Sequence, residues 1–251
     1  MKRGAWVAVL LLGCQSPGKD PMTASHDLQQ LFDDAWEASM KESPTYATYL
    51  GDFRYNDRLA DISAAGRARQ RASHEGFLAR LKTIDLAALD ENDRVTADIL
   101  RLQLEQALEE ERYKFYQWDV DQMSGPQADF PQLLNYHPLS DLKGLEARFR
   151  AFPVWMDQYL DNLREGLREG RVAMRVAVER VIGQLKSLLG TPEDKSPFAA
   201  KPELLPSIKD SVYPAFRKML AFLEQDYLPK ARTRDVGLWA LGRVFGRATL
   251  A

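Results

Sequence analysis

The chain has 251 residues, with 34 basic and 36 acidic side chains, and 45% of its residues are hydrophobic. This length allows one large or two small domains with a sizeable core, and the composition is ordinary for a globular protein. The near balance of charge provides no clustered basic surface that could displace counterions from phosphates. We therefore expect no nucleic-acid partner.

The N-terminus carries the features of a bacterial lipoprotein signal. Lys2 and Arg3 precede an apolar run over residues 5–12, which is too short to span a bilayer as a helix. The run ends in Leu-Leu-Gly-Cys, which matches the bacterial lipobox, and Cys14 is the only cysteine in the chain. We predict that residues 1–13 are a signal peptide and that Cys14 is lipidated. The alternative is an ordinary secretory signal, with Cys14 discarded or left free.

A single cysteine also limits the chemistry, because neither an internal disulfide nor a thiolate zinc cage can form. Acyl chains on Cys14 would hold the protein at a membrane by burying their methylene groups in the bilayer. Gln15, rather than an aspartate, follows Cys14, and this predicts the outer membrane as the location in a Gram-negative cell. Residues 14–25 contain few apolar side chains and several Ser, Pro and Gly residues, so we expect a flexible tether there.

After the tether, apolar residues recur at helical spacing along almost the whole chain. Pro44 suits the first turn of a short helix, and Gly51 can end that helix in a left-handed conformation. Ser63 is a suitable N-cap for the helix that follows. The helices expected in the first half of the chain lie at about 27–42, 44–50, 64–83 and 91–113.

The second half of the chain continues the same pattern. Ser140 is the predicted N-cap of a helix that Pro153 interrupts. Only residues 171–178 alternate as a strand would. The helices expected here lie at about 141–152, 154–170, 178–190 and 207–227. We therefore predict an all-α fold, a multi-helix bundle over residues 26–241 with one long ordered loop.

The chain contains no complete catalytic motif. His74 and Glu75 match the opening of the metalloprotease signature His-Glu-x-x-His, but Leu78 stands where the second histidine is required. We expect this pair to lie on a solvated helix face, and His26 to be exposed beside the tether. Nucleophile elbows, phosphate-binding glycine loops and dinucleotide fingerprints are absent. The many carboxylates, such as those at 109–111, are typical of soluble helix surfaces, and their spacing identifies no acid and base pair.

One segment differs from the rest of the sequence. Residues 117–139 interrupt the helical period, contain no Lys or Arg, and are rich in aromatic and amide side chains. This composition predicts an ordered loop rather than a disordered linker. It fits either a ligand cleft or a structural cover over the bundle, in which the amides satisfy buried backbone groups. The cleft interpretation selects Trp118, Gln122, Gln127, Asn135, Tyr136 and His137.

Several sequence blocks resemble, in the same order, a bacterial family catalogued as domain of unknown function 885. The first block reads Ser-Pro-x-Tyr-Ala-Thr-x-Leu-Gly-Asp at residues 43–52 and continues as Arg-Tyr-Asn-Asp-Arg-Leu at residues 54–59. The resemblance extends from about residue 27 to residue 241. The later blocks lie at residues 122–127, 131–134, 170–171, 178–181 and 227–229.

This resemblance implies an exported, helical, zincin-like metallopeptidase or hydrolase, often a lipoprotein. Members typically have longer chains, with a proposed zinc site in the C-terminal half made of a His-Glu motif and a Pro-Gly-His motif. The sequence contains no Pro-Gly-His, and its His-Glu pair, His74-Glu75, lies in the first half of the chain and lacks the second histidine. The resemblance therefore assigns no catalytic residue and no metal ligand. Zinc is expected only in a full-length member. Residues 242–251 diverge from the family, as a frameshift, an early stop or a gene split would produce.

Three functional hypotheses follow from the sequence. The first is the N-terminal portion of a lipid-anchored zincin-like peptidase, which would contribute cleft walls for a peptide substrate and be inactive alone. The second is a non-catalytic helical lipoprotein that binds an envelope partner. The third is an intact enzyme that uses carboxylates the sequence does not identify. The first two place the protein in the cell envelope, with a membrane as its partner through the lipid anchor.

Overall fold

The computed structural model describes residues 20–233, and within this range the backbone forms helices joined by turns, with no strand. The predicted all-α fold is therefore confirmed. Cys14 and residues 242–251, for which lipidation and divergence are predicted, lie outside the described residues. The α-helices are α1 (Pro21–Glu42), α2 (Pro44–Tyr49), α3 (Ala64–Leu81), α4 (Glu91–Tyr113), α5 (Pro126–Gln132), α6 (Leu142–Glu169), α7 (Arg175–Gly190), α8 (Leu205–Ser207) and α9 (Tyr213–Phe222).

Helix α1 begins earlier than the sequence indicates. The Asp20 carboxylate accepts a hydrogen bond from the backbone N–H of Met22 at 3.2 Å. Pro21 occupies the first helical position, where its missing N–H has no cost. Ala24 is already fully buried. Residues 21–25 are thus helical, which shortens the predicted tether.

Several predicted helix ends are confirmed. Ser63 caps α3 by accepting a hydrogen bond from the backbone N–H of Gly66 at 3.1 Å. Gly51 and Gly170 follow α2 and α6 with φ angles of 87° and 75°. A side chain would be strained at these angles, so glycine is the residue that allows each helix to end there.

Helix α6 contradicts the predicted interruption at Pro153, because it is continuous from Leu142 to Glu169. Its N-cap is Asp141 rather than Ser140, since the Asp141 carboxylate accepts a hydrogen bond from the backbone N–H of Gly144 at 3.0 Å. A proline inside a helix removes one backbone hydrogen bond. The core packing of buried side chains on both sides of the proline offsets this loss, and these side chains are Phe149, Phe152 and Met156.

The prediction of one long loop over residues 117–139 is wrong in its central part. Residues 126–132 form α5, and 3₁₀ turns lie at Phe115–Gln117 and Leu133–Asn135. Pro126 occupies the first helical position of α5. A helix of seven residues is too short for its apolar period to be recognised in a sequence.

The segment at residues 171–178 is not a strand: residues 171–174 belong to the connection between α6 and α7, and residues 175–178 form the first turn of α7. Its one feature of sheet geometry is a parallel backbone bridge between Met174 and Arg232. The final helical run contains two π-helical segments, Ile208–Val212 and Leu223–Tyr227, on either side of α9. The bridge ties the end of this run to the start of α7.

The buried apolar side chains form two main clusters. One lies among α1, α3 and α4, and the other among α5, α6, α7 and α9. Residues 43–62 link α1 to α3, and Leu59 and Ile62 in this link pack against the second cluster. The link therefore crosses from one helical unit to the other. Among the helices at residues 20–233, none has the length and apolar character needed to cross a membrane.

Candidate functional site

A cleft of about 680 Å³ lies where the two helical units meet. Its walls come from the link at residues 43–62, from the start of α3, from the connection between α4 and α6, and from one face of α6. A volume of this size is typical of sites for small molecules or short peptide segments. The cleft is therefore the candidate functional site.

The floor of the cleft is a series of aromatic rings from α5 and α6. Phe130 stacks on Phe152 with ring centroids 3.9 Å apart and planes at 12°. Phe152 stacks on Trp155, and Trp155 on Tyr159, with centroids 5.8 Å apart in both pairs. Residues three and four positions apart share one face of a helix, so α6 aligns its three rings along the cleft. Phe130, Phe152 and Tyr159 are themselves buried, so the half-buried Trp155 is the ring of this series most open to the cleft.

Three exposed tyrosines stand at the mouth of the cleft. Tyr46 and Tyr49 on α2 stack with centroids 6.1 Å apart, and Tyr136 meets Tyr49 edge to face at 4.9 Å. All three line the cleft. Exposed aromatic rings that already contact one another lose little conformational entropy on binding a ligand.

Asp119 lines the cleft, and its surroundings there shift the pKa of its carboxyl. Its side chain is exposed to the cleft, yet the surrounding protein raises the pKa of its carboxyl by desolvation, and the charges of Asp121 and Asp129 raise it further. The hydroxyl of Tyr159 donates a hydrogen bond to the backbone carbonyl of Asp119, which fixes this residue above the aromatic floor. An acid with a perturbed pKa in a cleft is a feature of functional sites.

Arg67 provides the positive charge on the opposite wall. Its guanidinium lies 3.6 Å from the ring centroid of Tyr116, and Nη1 donates a hydrogen bond to the carbonyl of Ile62 at 2.8 Å. Nη2 lies 3.6 Å from a carboxylate oxygen of Glu165, and Asn162 accepts a further hydrogen bond. These four contacts hold the Arg67 side chain in place on the cleft wall. They also connect α3 to α6 and to the segment that carries Tyr116.

The six residues selected from the sequence do not form one group around the cleft. Tyr136 lines it, whereas the other five are not among its lining residues. The backbone carbonyl of Gln122 accepts a hydrogen bond from Gln184 at 2.9 Å, and Asn135 is exposed. The same segment nevertheless supplies much of the cleft wall through other residues, namely Asp119, Ser124, Gly125, Pro126, Asp129, Phe130, Gln132 and Leu133.

Two of the selected residues support the segment from behind. Gln127 is buried, and its side-chain N–H groups bond the carbonyls of Asp121 and Ser124 and the Oε1 atom of Gln184. Trp118 meets Phe115 edge to face at 5.7 Å. Their contacts fit the structural-cover interpretation for these two positions.

His137, the last of the six, lies in a buried polar network around Arg148. The Arg148 guanidinium is fully buried and donates hydrogen bonds to backbone carbonyls of Pro44, Tyr55 and Arg58 at 2.8–3.1 Å. It also bonds the hydroxyl of Thr48 at 2.8 Å. Burial lowers the pKa of Arg148 to about 10, so the group stays charged at neutral pH. Arg148 thereby fastens the link at residues 43–62, and with it the tyrosine mouth, onto α6.

Sequence reasoning missed both Arg148 and Asp119. Arg148 stands among the charged residues of an amphipathic helix, where solvent exposure is the usual expectation. Asp119 lies inside the segment that the sequence does single out, so the absence of basic residues there was a usable signal. Nothing local distinguished it from Asp121 or Asp129.

Metal ligands are not brought together by this part of the chain. Within residues 20–233, no group of three or more His, Cys, Asp and Glu side chains is placed to hold a metal ion. His74 lies half-buried on α3, with Nε2 3.9 Å from a carboxylate oxygen of Glu42, and His26 is exposed on α1.

A comparison with solved structures gives a match over most of the chain. A crystal structure from Colwellia psychrerythraea, described as a "putative lipoprotein", superposes with a TM-score of 0.71 at 18% sequence identity. The match covers 88% of this chain and 45% of that chain, so the matched part of this protein spans less than half the length of that relative. At this identity the likeness establishes a shared fold.

Comparison with curated proteins gives no match. The family described as "Bacterial protein of unknown function (DUF885)" matches residues 44–248. This range includes every wall of the cleft and the whole Arg148 network. The chain therefore belongs to this bacterial family.

Proposed function

We propose that the chain is the N-terminal portion of an exported, lipid-anchored hydrolase of this family, of the zincin-like peptidase type. In this proposal Cys14 carries the lipid, and the cleft provides substrate-binding walls for a peptide. Catalytic zinc would belong to a complementary portion, so the chain alone binds peptide without hydrolysing it.

The observation that carries the proposal is the aromatic cleft at the junction of the two helical units. Its floor carries the ring series from Phe130 to Tyr159, and an apolar lining with few polar groups suits the side chains of a peptide. The proposal assigns catalysis to a part of a longer family member that corresponds to the portion of the Colwellia psychrerythraea chain this chain does not match, since the match covers 45% of that chain. The cell envelope is the location consistent with that relative's description.

The test uses the full chain, purified in detergent, and a library of short peptides. Binding is measured by isothermal titration calorimetry, and hydrolysis is followed by mass spectrometry with and without added zinc. We expect peptide binding without turnover. Hydrolysis that is lost on chelation and restored by zinc would contradict the assignment of catalysis to another portion, and a complete lack of binding would contradict the peptide cleft.

A second candidate is the non-catalytic lipoprotein that binds an envelope partner. It is favoured by an exposed apolar stripe on α4, where Val95, Ile99 and Leu102 are each more than half exposed at helical spacing. Under this hypothesis peptides do not bind the cleft, and the calorimetric measurement above distinguishes the two.

A further inference from the structure

The charged groups that line the cleft are few and differ in their surroundings. Among the described residues they are Arg67, Asp119 and Asp129. A ligand that enters an apolar, aromatic cleft is selected by whichever of these charges lacks a partner, because an unpaired charge in such surroundings gains most from an opposite charge.

Two of the three charges are already engaged. Arg67 has its ring contact with Tyr116, its hydrogen bonds and its ion pair with Glu165. One oxygen of the Asp129 carboxylate accepts a hydrogen bond from the backbone N–H of Gly125 at 3.0 Å, at the start of α5. Arg67 would have to give up these contacts to pair with a charged ligand, whereas Asp129 has one carboxylate oxygen already bonded to the start of α5.

Asp119 is different, because its carboxylate has no hydrogen bond or ion pair with any residue from 20 to 233. The interaction that holds it uses only its backbone carbonyl, which accepts from Tyr159. Its carboxylate faces the two like charges of Asp121 and Asp129. A cation paired with the Asp119 carboxylate would offset the repulsion that Asp121 and Asp129 impose on it.

The aromatic rings that line the cleft together with Asp119 also favour a cationic ligand. Trp155, Tyr159 and Tyr116 line the cleft, and Trp155 is only half-buried. The faces of tryptophan and tyrosine rings attract ammonium and guanidinium groups, most strongly where water is excluded. The face of Tyr116 already carries Arg67, which shows that this cleft tolerates a cation stacked on its aromatic wall.

We propose that the cleft selects peptides with a basic side chain, whose cationic group pairs with the Asp119 carboxylate and lies against the aromatic floor. This inference depends on the proposed function, because it names the substrate class of the same cleft. The raised pKa of Asp119 supports it, since a bound cation would favour the ionised form that the empty cleft disfavours.

The experiment compares two pentapeptides blocked at both ends, with either lysine or ε-acetyl-lysine between two phenylalanines. The two differ in one charge and share their apolar groups. Affinities for the full chain in detergent are measured by calorimetry at low salt and pH 8. The variants are Asp119→Asn and, as a matched control, Asp161→Asn, whose side chain is 73% exposed on α6 and pairs with Arg164.

We expect the lysine peptide to bind wild-type protein about tenfold more tightly than the acetylated peptide. Asp119→Asn should reduce this preference to about one, while its affinity for the acetylated peptide stays the same, and Asp161→Asn should keep the wild-type preference. Equal affinity for both peptides would overturn the choice of basic ligands but leave the peptide cleft intact. A preference that survives in Asp119→Asn would overturn the role of Asp119. If neither peptide binds, both the inference and the proposed peptide cleft are wrong.

Discussion

A nitrogen of the Arg148 guanidinium lies 3.3 Å from Nδ1 of His137, and both side chains are buried. The other ring nitrogen of His137, Nε2, lies 2.8 Å from the backbone carbonyl of Asp141. A carbonyl can only accept a hydrogen bond, so Nε2 carries the proton and Nδ1 accepts from Arg148. The histidine is therefore neutral in the folded protein, and a second proton would place two positive charges in contact.

Replacement of Arg148 by methionine should lower the free energy of unfolding by about 3 kcal/mol. The substitution removes the donor to the carbonyl of Arg58 and one donor each from the carbonyls of Pro44 and Tyr55, which keep the Thr48 hydroxyl and the Arg58 N–H. Buried polar groups that lose a hydrogen bond are costly. Urea denaturation followed by circular dichroism measures the change. Arg150→Met is the control, because Arg150 is exposed and, among residues 20–233, pairs with Glu146 alone. Its effect should stay below about 1 kcal/mol, and equal effects of the two variants would contradict the anchoring role of Arg148.

The protein should lose stability as the pH falls below 6.5, through His137. Burial lowers the pKa of this imidazole in the folded state, and the charge of Arg148 lowers it further. Above pH 6.5 both folded and unfolded chains hold a neutral histidine. Below it the unfolded chain binds a proton that the folded chain refuses, so the free energy of unfolding decreases by at most about 1.4 kcal/mol per pH unit.

This pH dependence is measured as the difference in unfolding free energy between pH 7.5 and pH 5.5. In the variant His137→Gln the amide can keep the donor to Asp141 and the acceptor for Arg148 but cannot titrate. The decrease should therefore be smaller in this variant than in wild type. The same decrease in both proteins would show that other groups cause it.

The helices were predictable because their apolar spacing and caps are local. Ser63, Gly51 and the bounds of α4 could be read directly, since each depends on side chains within one or two turns. The predicted interruption at Pro153 was wrong, because a proline usually ends a helix, whereas here the buried side chains on both sides of it keep α6 continuous. Tertiary packing of that kind leaves no local signal.

The cleft was predictable only as a region. The composition of residues 117–139 indicated a functional or structural segment, and this segment does supply one wall. The opposite walls come from residues 43–62 and from α6. These two parts are far apart in the sequence: Thr48 and Arg148, which are hydrogen-bonded to each other, are separated by 100 residues. Which side chains of the segment face the cleft depends on that long-range contact, so the sequence could not separate Asp119 from Trp118.

Lipidation makes a direct prediction for Cys14. Expression in a bacterial host with labelled palmitate should mark the wild-type protein and place it in the membrane fraction. Cys14→Ser should lose the label and move to the aqueous fraction, because the proposed anchor is the acyl chains on Cys14. A Cys14→Ser protein that stays in the membrane fraction would contradict the anchor.

Two glycines on the helices beside the cleft should respond in opposite ways to alanine. At Gly166 on α6 the backbone of the Phe115–Gln117 turn passes so close that an added Cβ would lie 2.0 Å from the carbonyl oxygen of Gln117. The turn would have to move away from α6. At Gly183 on α7 an added Cβ meets no atom within 4 Å.

Gly166→Ala should therefore lower the free energy of unfolding by about 2 kcal/mol or more, as overpacking of a core does. Gly183→Ala should raise it by about 0.5–1 kcal/mol, because alanine loses less backbone entropy than glycine in a helix.

The turn at Phe115–Gln117 carries Tyr116, which lines the cleft. Gly166→Ala should also weaken peptide binding, whereas Gly183→Ala should not change it. Urea denaturation and calorimetry measure the two effects. Unchanged stability in Gly166→Ala would show that the turn does not depend on its close contact with α6.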